Sequence, residues 1–291
     1  MNHFPRTMVG GVSMPRLIIG TNWFLGYSHT SLAKDTFIKS YQTRKSIAAI
    51  LKVFLDAGVD AVMGMPQPIL IDAIRDAQQK TGRTVTLILT PHFNIVKGGD
   101  PANEPERVFD VCREAGATFC MPHQCITDAL LDRMHGKIRN IATYTALIRE
   151  RGMIPGLSTH MPETVPIADA TGIDVETYIQ IYNAAGFLMQ VEADWVMRII
   201  RNAAKPVMTI KPLAAGRLLP PVGLAFAWNT IRDQDMVTIG TTTPDEAREI
   251  IDLSLAFLLR RLPENDLQTT RSKRSLLPPA AAKKKARKKR T

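Results

Sequence analysis

The sequence predicts a single (β/α)8 TIM barrel, and two segments in the C-terminal third of the chain give the clearest reasons. Residues 205–220 (KPVMTIKPLAAGRLLP) and 235–251 (DMVTIGTTTPDEAREII) each run from a short apolar strand through a turn into a helix. Two consecutive units of this kind are typical of the last strands of a β/α barrel. The 291 residues and the hydrophobic fraction of 45% also fit one barrel, because such domains contain about 250 residues.

Eight apolar runs along the chain have the length and composition of barrel strands. The run at 84–90 (TVTLILT) is the clearest, because β-branched side chains favour strands. The runs at 16–21 (RLIIGT) and 60–65 (DAVMGM) precede it, and the run at 236–239 (MVTI) is the last. The predicted strands lie at 16–21, 60–65, 84–90, 117–121, 153–158, 177–182, 207–210 and 236–239.

Helical segments separate these runs. The segments at 43–56 and 69–80 are followed closely by Gly58 and Gly82, which are typical helix-ending residues. Pro244, followed by two acidic residues, marks the beginning of the last helix. The predicted helices lie at 43–56, 69–80, 106–114, 127–151 with a break at Gly136, 162–170, 193–204, 221–232 and 244–261. This alternation favours a closed parallel barrel over an open sheet.

The ends of the chain differ from the barrel. Residues 4–14 (FPRTMVGGVSM) place Gly10 and Gly11 between short apolar pieces, which predicts a short hairpin that plugs the bottom of the barrel. The C-terminal segment is rich in Lys and Arg and has almost nothing apolar to bury, which predicts a disordered basic tail. We therefore divide the chain into an N-terminal hairpin at 1–14, a barrel domain at 15–262 and a tail at 263–291.

Charge is concentrated in that tail. The chain has a net charge of +10, and residues 264–291 contain ten basic and two acidic residues, which gives +8 there and +2 elsewhere. No apolar run reaches about 18 residues, so we expect no membrane span. The first twenty residues lack a continuous apolar core, so we expect no secretory signal and a cytoplasmic location.

The tail carries a prediction of its own. Seven of the eight residues at 283–290 are basic, so they should bind DNA or RNA weakly, with a steep loss as salt rises. Sequence preference is not expected, because the segment lacks aromatic residues that stack on bases. A chain ending at Pro263 should keep its Tm and lose this binding in a salt-dependent titration. A Tm lowered by several degrees would show instead that the tail packs on the barrel.

Polar side chains are predicted at the C-terminal ends of several strands, where β/α barrels do their chemistry. His92, His123 and His160 follow the third, fourth and fifth strands, and Lys211 follows the seventh. The histidines fit a metal site, a proton-transfer cluster or a hydrogen-bonded polar lining. No carboxylate lies at an obvious strand end, with Glu192 the nearest, so we predict no metal and assign catalysis to these three histidines and Lys211.

The cysteines and the last two loops complete the candidate residues. Cys112, Cys120 and Cys125 are odd in number and lack metal-type spacing, which predicts buried reduced thiols. Lys211 fits a Schiff-base nucleophile, an anion or cofactor contact, or a salt bridge at the rim, and the adjacent Pro212 favours the second. The run Gly240–Thr243 precedes a helix, whose beginning forms an anion site or a simple N-cap.

The chain resembles the aldo/keto reductase family over most of residues 6–262. The segments that carry the resemblance are RTMVGGVSMPRLIIGT, LDAGVDAV, GLSTH, IYN, KPLAAGRL and TIGTTTPDEAREI. The resemblance implies a nicotinamide cofactor, NAD(P), laid over the strand ends with its phosphates against the last two loops. It places Ser158 and Asn183 near the nicotinamide. It places Lys211, Leu213, Arg217, Gly240, Thr241 and Thr242 along the cofactor.

The family's catalytic tetrad is not retained in this sequence. The positions of its proton-relay Asp and Tyr read Met63 and Pro68, its lysine position reads Pro91, and its histidine position corresponds loosely to His123. Without a tyrosine acid assisted by lysine, the family's carbonyl reduction lacks its usual proton donor. Its 2′-phosphate contact falls near Glu246, whose charge would repel that group.

Three functions are compatible with these residues. The first is an oxidoreductase that binds NAD(P) and a small-molecule substrate, with His92, His123 or His160 replacing the missing acid. The second is a cofactor-free lyase or isomerase for a small phosphorylated or carboxylated substrate, with Lys211 and the histidines as catalytic groups. The third is a non-catalytic binding or scaffold barrel. A cofactor-induced rise in melting temperature separates the first from the others.

Overall fold

The computed structural model describes residues 4–264 and shows a (β/α)8 TIM barrel closed at its N-terminal end by a hairpin. The predicted fold is confirmed. The predicted disorder at 263–291 lies almost entirely outside the described residues. The strands are β1 (Arg6–Val9), β2 (Val12–Pro15), β3 (Leu17–Gly20), β4 (Ala61–Gly64), β5 (Thr86–Leu89), β6 (Phe119–Cys120), β7 (Leu131–Asp132), β8 (Lys137–Ile138), β9 (Ile154–Pro155), β10 (Leu157–Thr159), β11 (Tyr178–Ile181), β12 (Val207–Ile210) and β13 (Met236–Ile239).

Eleven α-helices occur in the described part of the chain, and most of them pack outside the barrel. They are α1 (Asn22–Leu25), α2 (Leu32–Tyr41), α3 (Arg44–Asp56), α4 (Pro68–Thr81), α5 (Pro105–Glu114), α6 (Gln124–Leu130), α7 (Ile141–Glu150), α8 (Thr164–Thr171), α9 (Ala193–Asn202), α10 (Pro220–Thr230) and α11 (Pro244–Leu258). None of the helices within residues 4–264 is long and apolar enough to span a bilayer.

The barrel closes through a strand made of two halves. β9 pairs in parallel with β6, and β10 pairs in parallel with β11. Only Gly156 separates the two halves, and a Cβ atom there would lie 2.7 Å from the carbonyl oxygen of Thr177. The eighth barrel strand, β13, pairs with the first, β3. The ring is therefore complete, and the side chains that follow its strands share one face.

Two apolar cores hold the barrel together. The interior core combines barrel residues such as Ile18, Ile88 and Met208 with Val9 and Met14 of the N-terminal hairpin. The outer core lies between the strands and the helices, where Ile47 and Leu51 of α3 are fully buried. Because hairpin residues belong to the interior core, the predicted plug at the bottom of the barrel is confirmed.

The helical stretch predicted at 127–151 is interrupted around Gly136, as expected, but by a hairpin that was not predicted. The chain forms α6, a two-stranded antiparallel hairpin (β7 with β8) and then α7. Gly136 with φ +58° and Asn140 with φ +55° lie at and after the hairpin turn, and this left-handed backbone cannot continue an α-helix. Two further helices, α1 and α2, fill the long connection from β3 to α3 and were not predicted.

Candidate functional site

A cavity of about 880 Å³ opens at the C-terminal ends of the barrel strands. Its lining includes all four residues predicted to be catalytic, namely His92, His123, His160 and Lys211. The parallel strands explain this convergence, because their carboxyl ends lie at one end of the ring. The structure therefore brings the four side chains together, while their catalytic roles stay predictions.

Most of the residues predicted to contact a cofactor also line this cavity. Those that do are Ser158, Lys211, Leu213, Gly240, Thr241 and Thr242. Asn183 and Arg217 are not among the lining residues. The buried amide of Asn183 donates to the carbonyl oxygen of Phe187 at 3.0 Å and accepts from its N–H at 2.9 Å. The Arg217 guanidinium stacks 3.9 Å from the centre of the Phe187 ring. Both side chains thus stabilise the loop after β11.

Lys211 contacts a histidine that the sequence analysis did not select. Its Nζ lies 3.1 Å from Nε2 of His29, in the loop between α1 and α2. The Nδ1 of His29 lies 2.9 Å from the carbonyl oxygen of Tyr27, which can only accept. Nδ1 therefore carries the proton, and Nε2 is free to accept from the Lys211 ammonium. Both residues have left-handed backbones, with φ +58° and +59°, a strained conformation that is frequent at functional sites.

Burial shifts the acid–base properties of the cavity. Desolvation lowers the pKa of Lys211 to about 8. Desolvation, reinforced by the charge of Lys211, lowers the pKa of His160 to about 4. Desolvation also lowers the pKa of His123 to about 4, and it lowers those of His29 and His92 below the ordinary value. At neutral pH the imidazoles are therefore mostly uncharged, and Lys211 is mostly protonated.

Three hydroxyl groups on the cavity wall have no hydrogen-bond partner within residues 4–264. They belong to Thr21, which follows β3, Thr238 in β13, and Thr241, which follows β13. Each of these residues is at most 5% exposed. A buried hydroxyl without a partner costs free energy. The wall formed by β3 and β13 is therefore suited to a ligand with polar groups.

The beginning of α11 already holds a carboxylate. Glu246 accepts from the backbone N–H of Thr242 at 2.6 Å and from its hydroxyl at 2.8 Å. The hydroxyl of Thr243 caps the same helix by accepting from the N–H of Glu246 at 3.1 Å. The predicted anion site at Gly240–Thr243 is therefore occupied by the protein's own acidic side chain, which would repel a second anion at that point.

One cysteine lies beside two of the histidines that line the cavity. Cys112 and Cys120 are buried, but Cys125 is partly exposed, so the prediction of three buried thiols is wrong for Cys125. Its Sγ lies 3.0 Å from Nδ1 of His92 and 3.2 Å from Nδ1 of His123. Burial raises the pKa of the Cys125 thiol. The side chain differs from a core thiol because α6 begins at the cavity rim.

Asp128 is a further residue that the sequence analysis missed. It lies in α6, accepts a short hydrogen bond from the Thr159 hydroxyl, and accepts from the backbone N–H of His160 at 3.2 Å. These contacts fix the segment that carries His160 into the cavity. Glu192, the carboxylate that the sequence analysis placed nearest, is exposed at the beginning of α9.

This chain is similar to known proteins in three-dimensional structure. No family model and no curated protein matches the sequence. A Pseudomonas aeruginosa protein described as a candidate aldo-keto reductase has a TM-score of 0.61 at 14% identity, covering 87% of this chain and 95% of that one. An aldo/keto reductase from Brucella melitensis has a TM-score of 0.57 at 13% identity, covering 86% of this chain and 93% of that one.

A third solved structure is an aldo-keto reductase from Klebsiella pneumoniae in complex with NADPH. It has a TM-score of 0.56 at 15% identity, covering 90% of this chain and 92% of that one. At identities this low the likeness shows the fold alone. The chain is therefore similar to these aldo-keto reductases in barrel architecture.

Proposed function

We propose that this barrel is an oxidoreductase that binds a nicotinamide dinucleotide, NAD(P), in the cavity and acts on a small carbonyl or alcohol substrate. The observation that carries the proposal is the set of three buried, unpartnered hydroxyls of Thr21, Thr238 and Thr241 on the wall between β3 and β13. The fold likeness to aldo-keto reductases, one of them solved with NADPH, supports the cofactor class.

The residues present fit such a cofactor in part. Rotation of their side chains would bring the three buried hydroxyls to the cavity surface, where they would donate to or accept from the polar groups of the cofactor, and Ser158 and Leu213 contribute further lining. When bound, a nicotinamide supplies or accepts a hydride. Glu246 at the beginning of α11 favours NADH over NADPH, because a carboxylate repels a 2′-phosphate and accepts hydrogen bonds from a ribose hydroxyl.

The proton donor in our proposal is Lys211. The neutral imidazole of His160, with its pKa near 4, is a poor acid at neutral pH. The ammonium of Lys211, with a pKa of about 8, is protonated there and close to the pKa range in which a general acid works well. His29 accepts from Lys211 and positions it. In carbonyl reduction Lys211 would deliver a proton to the substrate oxygen while the neighbouring imidazoles hydrogen-bond it.

Fluorescence titration with NADH and NADPH tests the cofactor. Trp23 lines the cavity, so a bound nicotinamide should quench its emission, and we expect NADH to bind more tightly than NADPH. Lys211→Glu should weaken binding at least about tenfold, since the dinucleotide is anionic. Lys45→Glu on the exposed face of α3 is the matched control and should bind like wild type. Absence of quenching with both nucleotides would eliminate the oxidoreductase proposal.

A second candidate is a Schiff-base lyase or isomerase, which the lowered pKa of Lys211 favours. At a pKa of about 8 roughly a tenth of this amine is unprotonated at pH 7, and that form attacks carbonyl carbons. Borohydride treatment in the presence of small keto acids or phosphorylated ketones would then trap a covalent adduct on Lys211. A trapped adduct without cofactor binding supports this function. If neither a covalent adduct nor cofactor binding is observed, the non-catalytic scaffold barrel is the remaining function.

A further inference from the structure

We propose that His92, His123 and Cys125 form a zinc site at the edge of the cavity. Their ligand atoms lie within 4.8 Å of one another. Cys125 Sγ is 3.0 Å from His92 Nδ1 and 3.2 Å from His123 Nδ1, and the two imidazole rings stack with their centres 4.2 Å apart. The three ligand atoms are thus close enough to share one metal ion, and the stacked rings would turn to direct their lone pairs at it.

The strand register builds this cluster. Leu89 of β5 lies opposite Cys120 of β6, so His92 and His123, each three residues further along, leave the sheet side by side. The N–H of His123 donates to the carbonyl oxygen of Pro91 at 3.1 Å and ties the two segments together. Cys125 follows as the second residue of α6, whose first turn directs it back towards both rings. The cluster is thus positioned by the ends of β5 and β6 and by the first turn of α6.

One hydrogen bond fixes the tautomer of the His123 ring. The backbone N–H of Cys125 lies 3.4 Å from Nδ1 of His123 and donates to it. Because this nitrogen accepts, the proton of the ring is on Nε2, and a metal at Nδ1 would displace the long hydrogen bond from the Cys125 N–H and take the same lone pair. The thiol of Cys125 would lose its proton to solvent as the bond from Sγ to the metal forms.

The ligand set selects the metal. Two imidazoles and one thiolate are typical zinc ligands, at about 2.0–2.1 Å for nitrogen and about 2.3 Å for sulfur. A tetrahedral arrangement at those lengths separates the ligand atoms by about 3.5 Å, so the two distances from Cys125 Sγ, at 3.0 and 3.2 Å, need to widen only slightly. Three protein ligands leave a fourth position, and His92 and His123 both line the cavity. That position would therefore face the cavity, where zinc could hold water or polarise a substrate oxygen.

Cobalt provides a spectroscopic test that does not depend on activity. The full-length protein, freed of metal, should bind one Co²⁺ and develop thiolate-to-cobalt absorption in the near ultraviolet, which Zn²⁺ should abolish by displacement. Cys125→Ser should lose this absorption. His92→Ala and His123→Ala should each weaken binding at least about 100-fold, because loss of a ligand costs at least as much as loss of a residue that supports one.

The matched control is His135→Ala. This imidazole is exposed on the β7–β8 hairpin and paired with Asp132, so its loss should leave cobalt binding unchanged. Circular dichroism and Tm of each metal-free variant separate loss of the ligand from loss of the fold. Wild-type absorption in Cys125→Ser, or no cobalt absorption in the wild type, would overturn the proposal. So would equal alkylation of Cys125 by iodoacetamide with and without Zn²⁺, which would show a free thiol.

Discussion

Replacing Lys211 by methionine is expected to lower kcat/KM for carbonyl reduction by at least about 100-fold, because a positioned general acid contributes about 10²–10⁴ to the rate. In the wild type, the rate of reduction should fall as pH rises through about 8, where Lys211 loses its proton. The Lys211→Met variant should lack this decline. Lys45→Met, on the exposed face of α3, should keep both the rate and the pH profile of the wild type.

The same substitution should stabilise the folded protein. The pKa of Lys211 is lowered from 10.5 to about 8, so between these values the unfolded chain binds more protons than the folded chain. The free energy of unfolding of the wild type therefore rises with pH across that window. Lys211→Met removes the cost of burying the ammonium, which is up to about 3 kcal/mol at pH 7. If Lys211→Met lowered the Tm as well as the activity, this would contradict the role of Lys211 as the proton donor and indicate a structural role.

Replacing Asp235 by alanine is expected to have the largest effect on stability, with a loss of about 3–5 kcal/mol in the free energy of unfolding. Asp235 is fully buried just before β13. It accepts from the backbone N–H of Val207 at 2.9 Å and, through both oxygens, from the Arg232 side chain at 2.8 and 2.9 Å. Without the carboxylate, the largely buried guanidinium and the Val207 N–H would lack an acceptor.

A nearby aspartate provides the matched control for urea denaturation. Asp233 is fully exposed and makes one ion pair, with Arg16 at 3.4 Å. Its replacement by alanine should change the free energy of unfolding by less than about 1 kcal/mol. Asp235 lies at the N-terminal end of the barrel, away from the cavity, so ligand binding by the folded fraction should be unchanged. If Asp235→Ala and Asp233→Ala had the same free energy of unfolding, the buried ion pair between Asp235 and Arg232 would contribute little to stability.

Prediction from sequence succeeded where a local pattern is sufficient. The bounds of β12 and β13 were predicted as observed, because each is a four-residue apolar run bordered by residues that end strands. Prediction was incomplete at 127–151, where the expected break at Gly136 is present but the two-stranded hairpin around it was not predicted. Asn140 has a left-handed backbone, which asparagine adopts more often than most residues, but most asparagines have ordinary backbone angles, so this residue alone does not predict the turn.

The candidate site was predicted in outline and missed in its contacts. Strand ends alone placed His92, His123, His160 and Lys211 in one cavity, because parallel strands in a closed barrel must end on one face. His29 and Cys125 were missed, since one lies in a long connection and the other follows a strand end by several residues. Cys125 follows the end of β6 by five residues, and a search for histidines and cysteines within that distance of each strand end would have found it.

The sequence by itself determined the barrel, its hairpin plug and four of the side chains at the C-terminal ends of its strands, because hydrophobic periodicity and turn residues act over short distances. Only the tertiary structure decided which of these side chains touch. It brought His29 to Lys211 across 182 positions of the chain, and Cys125 between His92 and His123. It also lowered the pKa of Lys211 through burial. Such contacts and desolvation depend on strand register and loop packing, which a single sequence does not record.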